Sequence, residues 1–276
     1  MPVNTEVVKI ALCQLRTELV LEETLDKAGR MVREAAQSGA RIVVLPEMFS
    51  CPYSGRYFHS FAARGHGPIL EKLSAWAEEN GVLLVGGSIP ETEDGRLYNS
   101  AFVFGPDGRQ LARHRKVHLF DVDIPGMRFK ESDTFGRGNE ITVFDSPFGR
   151  FGLAVCFDLR FPELFRAMAE RGARAIFLPA QFNLKTGPMA WELLLRARAA
   201  DNQLYVAACA AARYVGFDYE CWGHSTVTDP FGQVAAKCGE TEQILYAELD
   251  FSRVDEARRQ IPTITALRED LYPVAK

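Results

Sequence analysis

Cys156 lies in the run FGLAVCFDLRFPE. Phe151 to Val155 are apolar or small and read as a short buried strand that delivers the thiol at its end. An amphipathic helix is expected to open near Pro162. A thiol at a strand end that faces a helix N-terminus meets backbone N–H groups and the positive end of a dipole, which favour thiolate. That is the local chemistry of a cysteine nucleophile, although a free cysteine also serves as a small buried side chain. A nucleophile needs a base, a stabiliser for the oxyanion and a means of holding substrate. Five histidines (His59, His66, His114, His118 and His224) are possible bases, and none sits in a thiol-protease signature. Glu47 is the other choice, because a carboxyl in a desolvated pocket can take and return protons near neutrality. For the oxyanion, RHRKVHLFD (113–121) offers Arg113, Arg115 and Lys116. Arg113 and Arg115 read as a solvated basic face. Lys116 is followed by Val-His-Leu-Phe, which draws its backbone inward.

The elements that must position these residues alternate. Val8–Leu15 reads as a strand, and 24–37 has helical periodicity through Leu25, Ala28, Met31, Val32 and Ala35. Arg41–Pro46 is a buried strand, Leu70–Asn80 a helix closed by Gly81, and Val82–Ile89 a strand. Strands at Ala173–Pro179 and Leu204–Ala210 flank a helix at Pro188–Asn202. Three P-x-G turns, at Pro106-Asp107-Gly108, Pro147-Phe148-Gly149 and Pro230-Phe231-Gly232, predict β-hairpins. Hairpins mixed with crossover helices exclude a purely parallel doubly wound sheet.

An internal repeat links these elements to the chemistry. GARIVVLPEMF (39–49) and GARAIFLPAQF (172–182) agree at 6 of 11 positions, and each follows a helix with Arg and Ala at matching places. Two related halves are implied, each with a central strand ending in Leu-Pro. The copies differ where Glu47 meets Ala180. A purely structural acid has no reason to appear in one half alone, so Glu47 is a candidate functional carboxylate at a strand end.

The chain has 276 residues, 47% hydrophobic and 25% charged, which suits one large α/β or sandwich domain. The formal charge of −4, without runs of one sign, excludes a basic nucleic-acid surface. No uncharged apolar stretch approaches the roughly 20 residues that span a bilayer. The start MPVNTEVVKIALCQL has no basic n-region or small-residue cleavage site, so no secretory signal is expected. Cys13, Cys51, Cys156, Cys209, Cys221 and Cys238 form no C-x-x-C pair. They are expected to be reduced thiols in the cytoplasm, with Cys13 and Cys209 packed in the core. Nucleotide-binding glycine motifs are missing.

Three segments, LPE at Glu47, RKVHLFDVDIPG at Lys116 and CFDLRFPE at Cys156, together resemble the nitrilase superfamily of C–N hydrolases. FNLKTGPMAWELLLRARAADNQLYVAA, CWGHSTVTDPFGQVAAKCGE and the terminal QIPTITALREDLY are similar to the omega-amidase branch, and the resemblance covers nearly the whole chain. It implies Glu47 as general base, Lys116 as cationic stabiliser and Cys156 as nucleophile. Glu131 is implied as a second glutamate that holds Lys116 and helps orient water. The Phe157 backbone N–H is implied to join Lys116 in the oxyanion hole. Arg160 is implied to grip a substrate carboxylate, for which a guanidinium fork suits better than a lysine. Tyr53 and Phe182 are implied as pocket residues, and Phe182 also fits plain core packing.

The implied fold is an α/β four-layer αββα sandwich formed by residues 1–276 as one domain. A homodimer is implied, with residues 251–276 at its interface. The implied reaction is hydrolysis of the distal amide of a small carboxylate-bearing amide such as 2-oxoglutaramate or 2-oxosuccinamate. It runs through a Cys156 thioester and needs no cofactor or metal. Alternatives are an N-carbamoyl amino acid hydrolase or another amidase or nitrilase of the superfamily, a Cys–His thiol hydrolase, and a non-catalytic binding protein on the same scaffold. Gln181, where a small residue is expected, and Lys185, where Thr is expected, depart from the branch beside the pocket.

Overall fold

The computed structural model describes residues 7–62, 66–214, 219–268 and 270–271. The first six residues of the expected leader-free start lie outside the described residues, as do Glu269 and 272–276 of the expected interface segment.

The first half runs β1 (Val7–Gln14), α1 (Leu21–Gln37), β2 (Ile42–Val44), α2 (Gly55–Ala62), α3 (Gly67–Asn80) and β3 (Leu83–Glu93). β4 (Arg96–Phe104) and β5 (Gln110–Arg115) follow as hairpin strands, and β6 (Asp121–Ile124) and β7 (Met127–Lys130) form a separate small hairpin. The second half runs β8 (Val143–Ser146), β9 (Gly149–Leu153), α4 (Pro162–Glu170), β10 (Ala175–Ala180), α5 (Thr186–Asn202) and β11 (Tyr205–Ala210). β12 (Thr226–Thr228), β13 (Val234–Lys237), β14 (Gln243–Asp250) and α6 (Ser252–Gln260) complete it.

Each half builds one six-stranded sheet, the first completed by β14 from the end of the second half. Their orders are β14-β1-β2-β3-β4-β5 and β8-β9-β10-β11-β12-β13, which match strand for strand. In both, a parallel trio joined by crossover helices is extended by a hairpin. The repeat therefore marks two related halves, with β2 and β10 as equivalent central strands. The three P-x-G turns join β4 to β5, β8 to β9 and β12 to β13, with Gly108, Gly149 and Gly232 at positive φ.

Alternation along the strands builds the layers. Ile10 and Leu12 of β1 with Ile42 and Val44 of β2 join Phe151, Phe177 and Val206 in one core between the sheets. Ala11, Cys13 and Val43 point the other way, onto Leu25, Ala28 and Val32 of α1 and Leu73 of α3. Phe165 and Met168 of α4 with Trp191 and Leu195 of α5 cover the second sheet. The result is the αββα order. Cys13 and Cys209 are fully buried within it, as expected. β14 had no local signal; it pairs antiparallel with β1 across the whole length of both strands.

Candidate active site

Glu47, Lys116 and Cys156 leave the ends of β2, β5 and β9, so the two sheets bring them together from opposite halves. The Glu47 segment is held by β3. Ser88 N–H donates to the Pro46 carbonyl at 3.2 Å, and the Ser88 hydroxyl accepts from Met48 N–H at 3.0 Å. This close passage needs Gly87, at φ +63, because a Cβ there would lie 2.3 Å from the Pro46 oxygen. At Lys116 the same role falls to Gly138, where a Cβ would lie 2.0 Å from the Arg115 oxygen. Gly138 N–H donates to the Lys116 carbonyl at 2.9 Å.

β9 ends at Leu153, short of the expected strand end, and Ala154 N–H continues the ladder to the Phe177 carbonyl at 3.1 Å. Cys156 then opens a 3-10 turn, Cys156–Arg160, at φ +47. A non-glycine residue in this left-handed region is strained and is held by its surroundings. Met48, directly after Glu47, has the same φ of +47.

The Lys116 ammonium is fully buried between two carboxylates, 2.8 Å from Glu47 Oε1 and 2.8 Å from Glu131 Oε2. Burial opposes its charge, but Glu131 and Glu47 outweigh that and raise its pKa. Glu131 Oε2 also accepts from Phe120 N–H at 2.6 Å. Asn99 of β4 donates through Nδ2 to Glu47 Oε1 at 2.8 Å and to Glu131 Oε1 at 3.1 Å. Glu47 Oε2 has no nitrogen or oxygen donor among the described residues, and the Cys156 thiol is the side chain that meets the carboxyl on the other side from Lys116. Burial pushes the Glu47 carboxyl above its usual range against the pull of Lys116, and Glu131 pushes it further.

The Cys156 thiol lies well above its ordinary value, first because it is buried and then because Glu47 sits beside it. Lys116 and the Gln181 backbone N–H pull it down less strongly. The expectation of a thiolate favoured by a helix N-terminus is therefore corrected. α4 begins only at Pro162, and burial beside a carboxylate keeps the proton on sulfur.

Asp158 is a second buried carboxylate, two residues after Cys156. Its Oδ2 accepts from Val155 N–H at 3.0 Å and pairs with His114 Nε2 at 3.1 Å. Oδ1 accepts from His118 N–H at 2.9 Å and pairs with His118 Nδ1 at 2.8 Å. Burial alone would raise its pKa; the His114 and His118 hydrogen bonds win and hold it well below the usual carboxylate range. His114 and His118 thus serve Asp158 rather than the thiol. Arg113 and Arg115 correct a second expectation. They form ion pairs with Glu91 and Glu93 of β3, at 2.6 to 3.0 Å, in place of a solvated basic face.

Beside Cys156 lies a narrow pocket lined among others by Phe157, Arg160, Gln181, Phe182 and Tyr219. Arg160 reaches over the Phe157 and Phe182 rings, at 5.8 and 5.7 Å from the centroids, and no acid pairs with it among the described residues. Phe182 also packs edge-on against Trp191 at 5.0 Å. Tyr53 lines an adjoining hollow that shares Gln181 and Tyr219 with the pocket, and its ring lies 5.9 Å from Lys116 Nζ. Among the described residues, no three His, Cys, Asp or Glu side chains cluster to hold a metal ion, and no helix is long and apolar enough to cross a membrane.

Sequence reasoning missed Asn99, Asp158 and Tyr219. Asn99 had a signal: it is a polar residue inside the apolar strand LYNSAFVF, where a buried amide needs partners.

The chain matches the carbon–nitrogen hydrolase family over residues 9–259. It is 48% identical over 267 residues to the omega-amidase NIT2 of Mus musculus, covering 96% of this chain and 97% of that protein. The Homo sapiens omega-amidase NIT2 is 47% identical over the same coverage. Among solved structures, Saccharomyces cerevisiae Nit3, a member of branch 10 of the nitrilase superfamily, superposes with a TM-score of 0.87 at 38% identity. That superposition covers 93% of this chain and 94% of Nit3. By sequence and fold together, the chain belongs to the carbon–nitrogen hydrolase family of the nitrilase superfamily.

Proposed function

We propose that this chain is an omega-amidase, which hydrolyses the distal amide of 2-oxoglutaramate, 2-oxosuccinamate or a similarly compact carboxylate-bearing amide. The observation that carries the reading is the buried Glu47 carboxyl set against the Cys156 thiol, its Oε2 without a nitrogen or oxygen donor among the described residues, with Lys116 pinned by Glu47 and Glu131. Its substrate class rests on Arg160, a guanidinium without an acid partner among the described residues beside a narrow pocket, and on the omega-amidase relatives.

In the proposed mechanism, Glu47 takes the Sγ proton as the sulfur attacks the amide carbonyl. Lys116 and the Phe157 N–H stabilise the tetrahedral oxyanion. Protonated Glu47 gives its proton to the departing nitrogen, so ammonia leaves and a Cys156 thioester remains. Glu47 then takes a proton from water, oriented with help from Glu131, as the hydroxyl adds to the thioester. Collapse expels the sulfur, which recovers its proton from Glu47, and the carboxylic acid is released. Arg160 holds the substrate carboxylate by a bidentate contact, while Tyr53 and Phe182 shape the cavity.

The unit proposed is one domain over residues 1–276, cytoplasmic and homodimeric, with residues 251–276 at the interface. Met189 and Leu193, one turn apart on α5 and 73% and 69% exposed, support an apolar face for a second copy. Ammonia release is the test, measured on 2-oxoglutaramate, 2-oxosuccinamate, glutamine, asparagine, N-carbamoyl-β-alanine and a simple nitrile. Turnover of the two oxo-amides is expected to dominate. Turnover confined to the carbamoyl compound or the nitrile would overturn the assignment.

A further inference from the structure

Glu47 and Cys156 belong to different sheets, so the distance from base to thiol depends on how the sheets register. The Glu47 carboxylate is tied by Lys116 and Asn99, which lie on or beside β5 and β4 of its own sheet. Those contacts do not fix it relative to β9, which carries Cys156. Across the sheet interface, Asp158 links the Cys156 turn to His114 and His118, which flank Lys116. That clamp sets Lys116, and through it the Glu47 carboxylate, against Cys156, and leaves the Glu47 backbone to another contact.

Gln181 supplies it. It follows β10, the neighbour of β9, and is 3% exposed. Its side-chain Nε2 donates to the Glu47 backbone carbonyl at 2.5 Å, while its Oε1 accepts from the Cys221 thiol at 3.3 Å. Its own carbonyl accepts from the Tyr219 hydroxyl at 2.5 Å, and its backbone N–H faces the Cys156 sulfur. One residue of the second sheet therefore touches the backbone of the base and the sulfur together. In the internal repeat Gln181 is the counterpart of Met48, the residue next to Glu47, so the two copies meet at this contact.

We propose that Gln181 is a positioning residue that sets Glu47 against Cys156 by bridging the two sheets through the Glu47 carbonyl. The proposal rests on the reading of Glu47 and Cys156 as base and nucleophile. It also explains the departure from a small residue at this position: the side chain is turned to the backbone of the base. A buried carbonyl that loses its donor leaves the Glu47 loop free to drift, and a base misplaced by a fraction of an ångström transfers protons more slowly without changing how substrate is held.

The test compares Gln181→Met, which keeps the length and loses the donor, with Gln181→Ala, which loses the donor and needs no extra space. Amide hydrolysis is expected to show kcat lower by about tenfold in both, the loss of roughly one hydrogen bond. KM should stay within about twofold and the fold should be retained, with the melting temperature lower by a few degrees. Alkylation of Cys156 by iodoacetamide, which requires no turnover, should slow by a similar factor. Unchanged kcat and unchanged alkylation in the variant that folds would overturn the proposal. So would a rise in KM with kcat intact, which makes Gln181 a pocket wall. Wild-type protein that releases no ammonia from any amide would count against the functional reading, while the alkylation ratio would still report on Gln181.

Discussion

Two buried carboxylates lie within reach of the Cys156 turn, and they are in opposite states. Asp158 has both oxygens filled by four N–H partners, two from backbone and two from imidazoles, and its pKa is held low. Glu47 has one oxygen shared by Lys116 and Asn99 and the other without a nitrogen or oxygen donor among the described residues, open to the Cys156 thiol, and its pKa is raised. Burial is complete for both, so burial does not separate them. Hydrogen-bond saturation does, together with the Glu131 charge that pushes Glu47 up. A carboxylate whose lone pairs are all satisfied is fixed in its charged form and serves as an anchor. One left half satisfied in a dry site retains the capacity to take a proton.

The largest effect that tests this contrast is at Glu47. Glu47→Gln keeps the shape and an acceptor toward Lys116 but removes the base, and kcat is expected to fall by about 10³ with the fold retained. Cys156→Ser should be as severe. Substrate turnover and circular dichroism of the two variants check both points. A Glu47→Gln enzyme within tenfold of wild type would move the base to another residue.

Asp158→Asn should act on the fold before it acts on the chemistry. The amide nitrogen would face Val155 N–H or His118 N–H, a donor against a donor, and a loss of about 3 kcal/mol in unfolding free energy is expected. The pH dependence follows from the depressed pKa. Such a carboxyl contributes its full stability above its unfolded value, about 4, and loses it as pH falls through the lower folded value. The gap between wild type and Asp158→Asn should therefore be flat near neutrality and narrow below about pH 4. Denaturant titrations across that range read the gap directly. A gap that widened in acid would mean that the anchor is not the ionised form.

The same contrast explains what was legible in the sequence. Glu47 was visible because the repeat has Ala180 at the matching place, and a difference between copies is local information. Cys156 and Lys116 were marked as candidates by short runs in which apolar neighbours imply burial and took their roles from the resemblance to the family, and the P-x-G turns located three hairpins. The saturation of Asp158 was not visible, because its imidazole partners lie 44 and 40 residues away, on β5 of the other sheet and in the loop after it. The ion pairs of Arg113 and Arg115 with Glu91 and Glu93 depend on the register of β3, β4 and β5 over 20 to 24 residues. Asn99 joins two carboxylates 52 and 32 residues distant from it. Partners set by sheet packing leave no mark on periodicity, so composition suggests which residues are reactive but not which are satisfied.

Arg160 extends the comparison to a cation and carries the smallest of these effects. Lys116 is buried and paired with two carboxylates, whereas Arg160 is half-buried, borders two aromatic rings and has no acid partner among the described residues. By the logic that separates Glu47 from Asp158, the unsatisfied cation is the one available to substrate. Arg160→Lys keeps the charge and loses the planar fork, so KM for carboxylate-bearing amides is expected to rise about tenfold with kcat little changed. An uncharged amide of similar length should show no such rise. Steady-state kinetics on the paired substrates decide it: an equal rise for both would make Arg160 a packing residue over Phe157 and Phe182, and the pocket would owe its preference to shape.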